Sequence, residues 1–220
     1  EIGGTIITGV VSNSSPYIHT VIGTGNNTQL ITPKTAIGKI SNKGYIIEAE
    51  DLVYVSVRVN AAKNVANGVT SYNHAGGLVS KGNSALGKEF RLGATLKPNY
   101  DNALLNFASI LSTENGTKVT ISNIPVGTLF TDGTTYTVPI VVTLNKNESY
   151  VLALENINNG IVPSNSSKLI GALVETDKPV VVNSGSFGGS NSSSGSGRDV
   201  GFDQIVSFEK TGKEYIFVKG

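Results

Sequence analysis

Short apolar runs alternate with clusters of Gly, Asn, Asp, Ser and Pro along almost the whole chain. The runs are rich in Val, Ile, Thr, Tyr and Phe, the residue types that suit a pleated, half-buried strand. The pattern predicts strands at Thr5–Val11, Tyr17–Ile22, Gln29–Thr32, Gly44–Glu50, Val53–Val59 and Phe90–Leu96. In the second half it predicts Leu105–Ser112, Lys118–Ile121, Thr137–Leu144, Ser149–Leu154, Leu169–Glu175, Val180–Ser184, Gln204–Phe208 and Glu214–Val218. Turn sequences separate them: Gly25-Asn26-Asn27, Asn42-Lys43-Gly44, Glu114-Asn115-Gly116, Asp132-Gly133, Asn145-Lys146-Asn147 and Asp177-Lys178-Pro179. Each supplies a residue that tolerates positive φ, or a proline of fixed φ. Helix signals are few. Ser80–Lys88 and Asn99–Leu105 each allow one turn, and Gly82 and Gly87 keep the first short. The expectation is an all-β chain of antiparallel β-sandwich or jelly-roll-like layers. The alternative is a propeller-like arrangement of short sheets.

Some phrases recur. Gly-Lys-Glu-aromatic stands at Gly87–Phe90 and again at Gly212–Tyr215. A polar turn leads into an aromatic-aliphatic strand at Asn42–Ile47 and again at Asn145–Leu152. Two related halves are therefore expected, 1–98 and 99–220, with a boundary near Lys97-Pro98-Asn99. The second half contains the Gly/Ser tract Asn183–Arg198, inside a flexible loop expected over 183–203. Such a tract cannot pack a core, and loops of this length are commonly functional or disordered.

Composition narrows the setting. The chain has 220 residues, enough to bury about 70% of the unfolded surface without staples. It has no Cys, which excludes a disulfide scaffold, thiolate catalysis and Cys-ligated zinc. The net charge of +1 leaves no basic patch to track phosphates, so nucleic acid is not an expected partner. No apolar run approaches the roughly 20 residues of a membrane-spanning helix. Asn, Ser, Thr and Gly take the place of charge, as on many extracellular and cell-surface β proteins. The chain opens at Glu1 rather than Met, which points to a processed product or a fragment of a longer surface protein.

Candidate chemistry is sparse. His19 and His74 are the only histidines, and neither has a second ligand at i+2 or i+4, so strand-surface or loop roles are expected. There is no nucleophile elbow, phosphate-binding loop or His-Glu-x-x-His pair. Glu48, Glu50 and Asp51 form an acidic cluster. In a strand Glu48 and Glu50 share a face with Cβ atoms roughly 7 Å apart, a scale on which carboxylate pairs hydrolyse glycosides. A solvated strand face is the plainer reading. Asp199 and Asp203 flank Val200-Gly201-Phe202 and could offer hard oxygen ligands to calcium. Turn-capping carboxylates are the plainer reading there. Asn-x-Ser/Thr sites begin at Asn13, Asn26, Asn115, Asn147, Asn165 and Asn191, and in a chain this rich in Asn and Ser they carry little weight.

Four phrases carry a family likeness when taken in order: Ala75–Gly82 with Leu86–Gly93; Phe107–Ile121; Leu173–Gly185; and Gly201–Val206 with Gly212–Gly220. The chain resembles the N-terminal domain family of IgGFc-binding proteins, over about Gly44 to Gly220. The likeness is greatest to the versions on large surface proteins of gliding Bacteroidota. It implies an extracellular, non-enzymatic adhesion or ligand-binding module within a longer polypeptide. Vertebrate members carry cysteines in the part matching Ser184–Asp203. This chain has none, so immunoglobulin binding does not carry over.

The resulting expectation is a rigid β scaffold on a bacterial cell surface with no catalytic residues and no cofactor, calcium being the one candidate ion. It would display loops such as Asn60–Gly77 and Asn183–Asp203 to a protein or glycan ligand, or to neighbouring modules of a fibre. The alternatives are a structural fibre subunit and a surface glycan hydrolase using Glu48 and Glu50.

Overall fold

One strand organises the molecule. In the computed structural model, which describes residues 6–21, 36–41, 44–66, 69–93, 106–155, 165, 167–189 and 199–216, that strand runs from Leu173 to Gly189. The strands in chain order are β1 (Ile40–Ser41), β2 (Ser56–Ala66), β3 (Val69–Val79), β4 (Gly87–Arg91) and β5 (Asn106–Ser112). They continue as β6 (Thr117–Ser122), β7 (Ile140–Leu144), β8 (Ser149–Ala153), β9 (Leu173–Gly189) and β10 (Asp199–Ile205). On one edge β9 pairs with β5 over Val180–Ser186 and with β6 over Leu173–Thr176. On the other edge it pairs with β10 over Val182–Gly189 and with β4 over Leu173–Val180. β7 extends the sheet beyond β6, and β8 and then β1 extend it beyond β5. Every one of these pairings is antiparallel.

The sheet turns a corner at Asp177–Pro179, where Gly87 pairs with Val180 but Glu89 pairs with Glu175. Four β9 residues bulge out opposite Lys88 alone, which bends the strand and sharpens its twist. Side chains stitch the bend from outside. Lys118 N donates to Asp177 Oδ1 at 2.8 Å, and Thr113 Oγ1 donates to the Pro179 carbonyl at 3.0 Å. Pro179 has no N–H to give, and a bulge is a place where a sheet tolerates that. The predicted turn at Asp177-Lys178-Pro179 is thus a bend within one strand, joining two runs that the sequence separates. Orthogonal sandwiches make their corners this way, with a strand passing from one layer to the other.

The two layers close on a single apolar core. Phe90, Val119, Ile121, Val174 and Leu144 come from the layer of β4, β6 and β7 with the first part of β9. Ala108, Ile110, Tyr150, Leu152, Val180 and Val182 come from the layer of β5, β8 and the second part of β9. Alternation puts these residues inward. On β5 and β8 the other face is covered as well, with Phe107, Val151 and Ala153 packed against Ile37 and Phe202. All five residues of β8 are therefore buried. The fold is the expected all-β antiparallel sandwich, built as one bent sheet rather than as a ring of separate blades.

The expected strands from Phe90 to Ser184 are found within a few residues wherever they are described, except that Leu169–Ala172 is a turn leading into β9. Gly116 (φ 64°), Gly133 (φ 85°) and Asn147 (φ 70°) hold the positive φ that their turns require. Ser80–Lys88 contains one 3-10 turn at Gly82–Ala85. Four expectations fail. The described parts of Thr5–Val11, Tyr17–Ile22 and Glu214–Val218 join no ladder, and Gly44–Glu50 has only a bridge at Tyr45. These runs have strand composition, but no other described strand forms a ladder with them, and composition alone does not make a sheet. Gly87–Phe90 forms β4, whereas Gly212–Tyr215 is outside any ladder. Gln29–Thr32 and the Gly25-Asn26-Asn27 turn lie outside the described residues, as do Ala94–Leu96 and Asn99–Leu105.

Candidate binding site

The segment Asn60–Gly77, expected as a loop, is most of a long hairpin. β2 and β3, eleven residues each, pair from Ser56↔Val79 to Ala66↔Val69. At the base Val55, Val57, Val59, Gly76 and Leu78 turn inward, while Ser56, Arg58, Asn60, Ala75 and Gly77 are exposed. Two sequence signals announce this hairpin. Valine alternates at Val55, Val57 and Val59. Asn67-Gly68 is the dipeptide favoured in two-residue hairpin turns. Ala61, Ala62, Lys63 and Asn64 obscure the strand because their intrinsic preference for it is low.

A two-stranded ribbon is marginal in water, and this one is held against β10. Ala75 N donates to Asp199 Oδ1 at 3.3 Å. The Gly76 backbone lies against the Val200 carbonyl, where a Cβ would overlap it. Further along, Lys81 N donates to Gln204 Oε1 at 2.6 Å and Ser80 Oγ donates to the same atom at 3.3 Å. Lys81 Nζ pairs with Asp203 Oδ2 at 2.6 Å and also donates to the Gln204 carbonyl. Partners advance together along both strands, from 75 with 199 to 80 with 204, so β3 and β10 run in parallel. The tip ends of the two hairpins consequently face the same way. The chain leaves β9 at Gly189 and returns at Asp199 at this end, with residues 190–198 between. β3 reaches about 20 Å further, the rise of its six residues before Ala75.

The Lys81–Asp203 pair is solvent-exposed and contributes about 1 kcal/mol or less. Close backbone approach at Gly76 does more to fix the junction. Gly76→Val is expected to cost about 1–3 kcal/mol through steric overlap with Val200. Limited proteolysis reads the result as faster cleavage within β2–β3. A cleavage rate equal to wild type would show that the hairpin is not seated on β10.

Below the junction a groove of about 550 Å³ opens between the layers. Arg91, Gly93, Ser184, Gly185, Phe202 and Ile205 line it, with Lys81 and Asp203 at the rim. Arg91 Nη1 donates to the Gly171 carbonyl at 3.2 Å, and Ser184 Oγ donates to the Gly93 carbonyl. A second clasp joins β4 to the turn Phe208–Lys210, where Lys88 N donates to Glu209 Oε1 at 3.2 Å. Partial burial alone would raise the Glu209 pKa. Hydrogen bonds from its own N–H, Lys88 N and Ser207, with the Lys210 charge, outweigh that and hold the carboxyl below its ordinary value. Gly87 is needed here because any side chain would run into Ser207.

The residues singled out from sequence fall in separate places. Glu48, Glu50 and Asp51 are exposed, and Asp51 Oδ1 only accepts from Leu52 N at 2.7 Å. A glycosidic acid needs a desolvated setting to hold its proton, and these carboxylates have none. Asp199 and Asp203 each serve the β3 junction, Asp199 at Ala75 and Asp203 at Lys81. Among the described residues no group of three or more His, Asp or Glu is placed to hold a metal. The His19 ring lies 6.3 Å from that of Tyr45, and His74 is a β3 residue paired with Ala61. Asn183–Gly189 and Asp199–Asp203, expected as loop, are strand.

Asn165 was a glycan acceptor by its sequence, but it is buried. Its Oδ1 accepts from Leu129 N at 3.2 Å, and its Nδ2 donates to the carbonyls of Leu129 at 2.7 Å and Glu155 at 2.9 Å. Sequence alone has no signal for that role.

The family phrases acquire a structural meaning. Leu173–Gly185 is β9. Leu86–Gly93 holds β4, Phe107–Ile121 holds β5 and β6, and Gly201–Val206 holds most of β10. The phrases are the central strand and its four flanking partners, and Ala75–Gly82 adds the docked edge of the hairpin. A family model described as IgGFc binding protein matches residues 75–220, more than half of the 220-residue chain. The chain belongs to the IgGFc-binding family. This is a binding family whose domains are typically extracellular. No curated protein and no solved structure matches the chain. No helix among the described residues is long and apolar enough to cross a membrane.

Proposed function

We propose that this IgGFc-binding-family chain is a non-enzymatic adhesion or ligand-binding module on a bacterial cell surface. It binds a protein or glycan surface through the end of the molecule where the β2–β3 and β9–β10 hairpins lie side by side. The alignment of β3 with β10 carries this reading, because it brings two long hairpins from distant parts of the sequence to one end. The tract 190–198 offers hydroxyl, amide and backbone groups with the single charge of Arg198. Such groups suit neutral, hydrogen-bonding partners, and small side chains let the backbone approach closely. The sparing use of charge across the chain agrees with an extracellular setting.

The test is to replace residues 190–198 by a two-residue Asn-Gly turn and to measure binding to cells, glycans and abiotic surfaces. Binding is expected to fall about tenfold or more, the loss of roughly 1.4 kcal/mol of contacts. The melting temperature should stay within about 2 °C, since no core residue changes. Unchanged adhesion removes the tract from the mechanism.

A further inference from the structure

The residues before β2 carry most of the uncovered apolar surface. Ile6, Val10, Ile18, Ile47, Leu52 and Tyr54 are all more than 60% exposed, and Leu52 reaches 99%. They precede the family match at residue 75. Ile47–Tyr54 stands out within this region. All eight residues are exposed, the backbone is non-helical, and no ladder forms along it. The backbone bends at Glu50–Asp51, and the apolar, mostly strand-favouring residues Ile47, Leu52, Val53 and Tyr54 flank the acidic ones; exposed chain of this kind without a ladder can pair with an open strand edge.

The same molecule holds a matching edge. β2 pairs with β3 on one side only among the described residues, so its outer edge offers unpaired N–H and C=O groups along eleven residues. Eight extended residues cover about 26 Å, within the roughly 36 Å of β2. Charge matches as well. Glu48, Glu50 and Asp51 make Ile47–Tyr54 strongly acidic. Residues 52–88 contain no acid, and β2 itself carries Arg58 and Lys63.

We propose that Ile47–Tyr54 of one copy adds as a strand to the free β2 edge of a second copy, which gives head-to-tail assembly. The segment cannot do this within its own chain. It runs directly into β2 through Val55, and no turn sequence lies between to bring it back alongside. Pairing of β2 with β2 of a second copy is disfavoured because it sets Arg58 and Lys63 against like charges. Acidic strand on basic edge is the complementary arrangement. It is heterologous, and it repeats without closing unless the rotation between copies happens to form a ring. The acidic segment lies apart in sequence from the tract 190–198, so charge reversal at Glu48 and Glu50 and removal of that tract test assembly and adhesion separately.

Sedimentation velocity over a range of concentrations tests this on the full 220-residue chain. Wild type is expected to grow in size with concentration, less so at high salt. Glu48→Lys with Glu50→Lys, and separately Arg58→Glu with Lys63→Glu, are each expected to weaken assembly by about tenfold or more. Glu48, Glu50 and Arg58 are exposed, and circular dichroism checks that each variant keeps its fold. An equimolar mixture of the two variants should assemble again, because each then offers the complement of the other. A wild-type chain that stays monomeric up to millimolar concentration overturns the proposal, as does assembly that neither charge reversal changes.

Discussion

Replacing Phe90 by Ala is expected to destabilise the chain by about 3–5 kcal/mol, the usual cost of emptying a buried aromatic site. Phe90 is fully buried and is one of the largest side chains in the core. It sits on β4 opposite Val174 of β9, so it joins the edge of one layer to the central strand. A domain of this size has on the order of 5–15 kcal/mol in hand. The substitution should therefore lower the melting temperature by on the order of 10 °C, and urea titration gives the free energy directly. Leu52→Ala is the matched control. With Leu52 fully exposed in the free chain, its truncation should shift stability by less than about 0.5 kcal/mol. Equal losses for the two would mean that Phe90 is not at the centre of the core.

Asn165→Ala is the second large effect, at about 2–3 kcal/mol. The side chain makes three hydrogen bonds that tie Leu129 and Glu155 together. Truncation removes the acceptor of Leu129 N and one donor to each of the Leu129 and Glu155 carbonyls in a part-buried site, and a lost buried bond costs more than a made one contributes. Asn165→Asp should be at least as damaging. A carboxylate has no N–H for the Leu129 and Glu155 carbonyls, and its charge would face their oxygens. Thermal denaturation of the two variants beside wild type measures both. If Asn165→Asp were as stable as wild type, the amide could not be bridging those carbonyls.

Much of the frame is legible in the sequence, because most of the sandwich strands alternate inward and outward residues. Val119 and Ile121 point in while Lys118 stays out, and a period of two reports that directly. Three features were hidden for physical reasons. Asp177-Lys178-Pro179 has turn composition, yet β9 continues through it because Lys118 and Thr113 hold the bulge from a neighbouring strand. The β2–β3 hairpin was masked by alanines, lysine and asparagine, although Asn67-Gly68 marked its tip. The apolar runs at Ile6–Val11 and Tyr17–Ile18 have strand composition but join no ladder among the described residues, and local preference cannot supply a partner. The candidate site was half visible. The two segments expected to display ligand-binding groups are the two hairpins, but their adjacency depends on Gly76, Ser80 and Lys81 meeting β10. These contacts span more than 120 residues of sequence, and one sequence does not disclose them. The family phrases from Leu86 to Val206 fall on strands of the frame, whereas the described part of Gly212–Gly220 joins no ladder.

Native-state hydrogen exchange tests this division between frame and tips most directly. Amides of β9 from Val182 to Ser186, between β5 on one edge and β10 on the other, are expected to exchange last, through global unfolding only. Those of β2 and β3 beyond Asn60 are expected to exchange orders of magnitude sooner. A hairpin protected as well as β9, or β9 amides that exchange by local opening, would contradict a molecule built around that one bent strand.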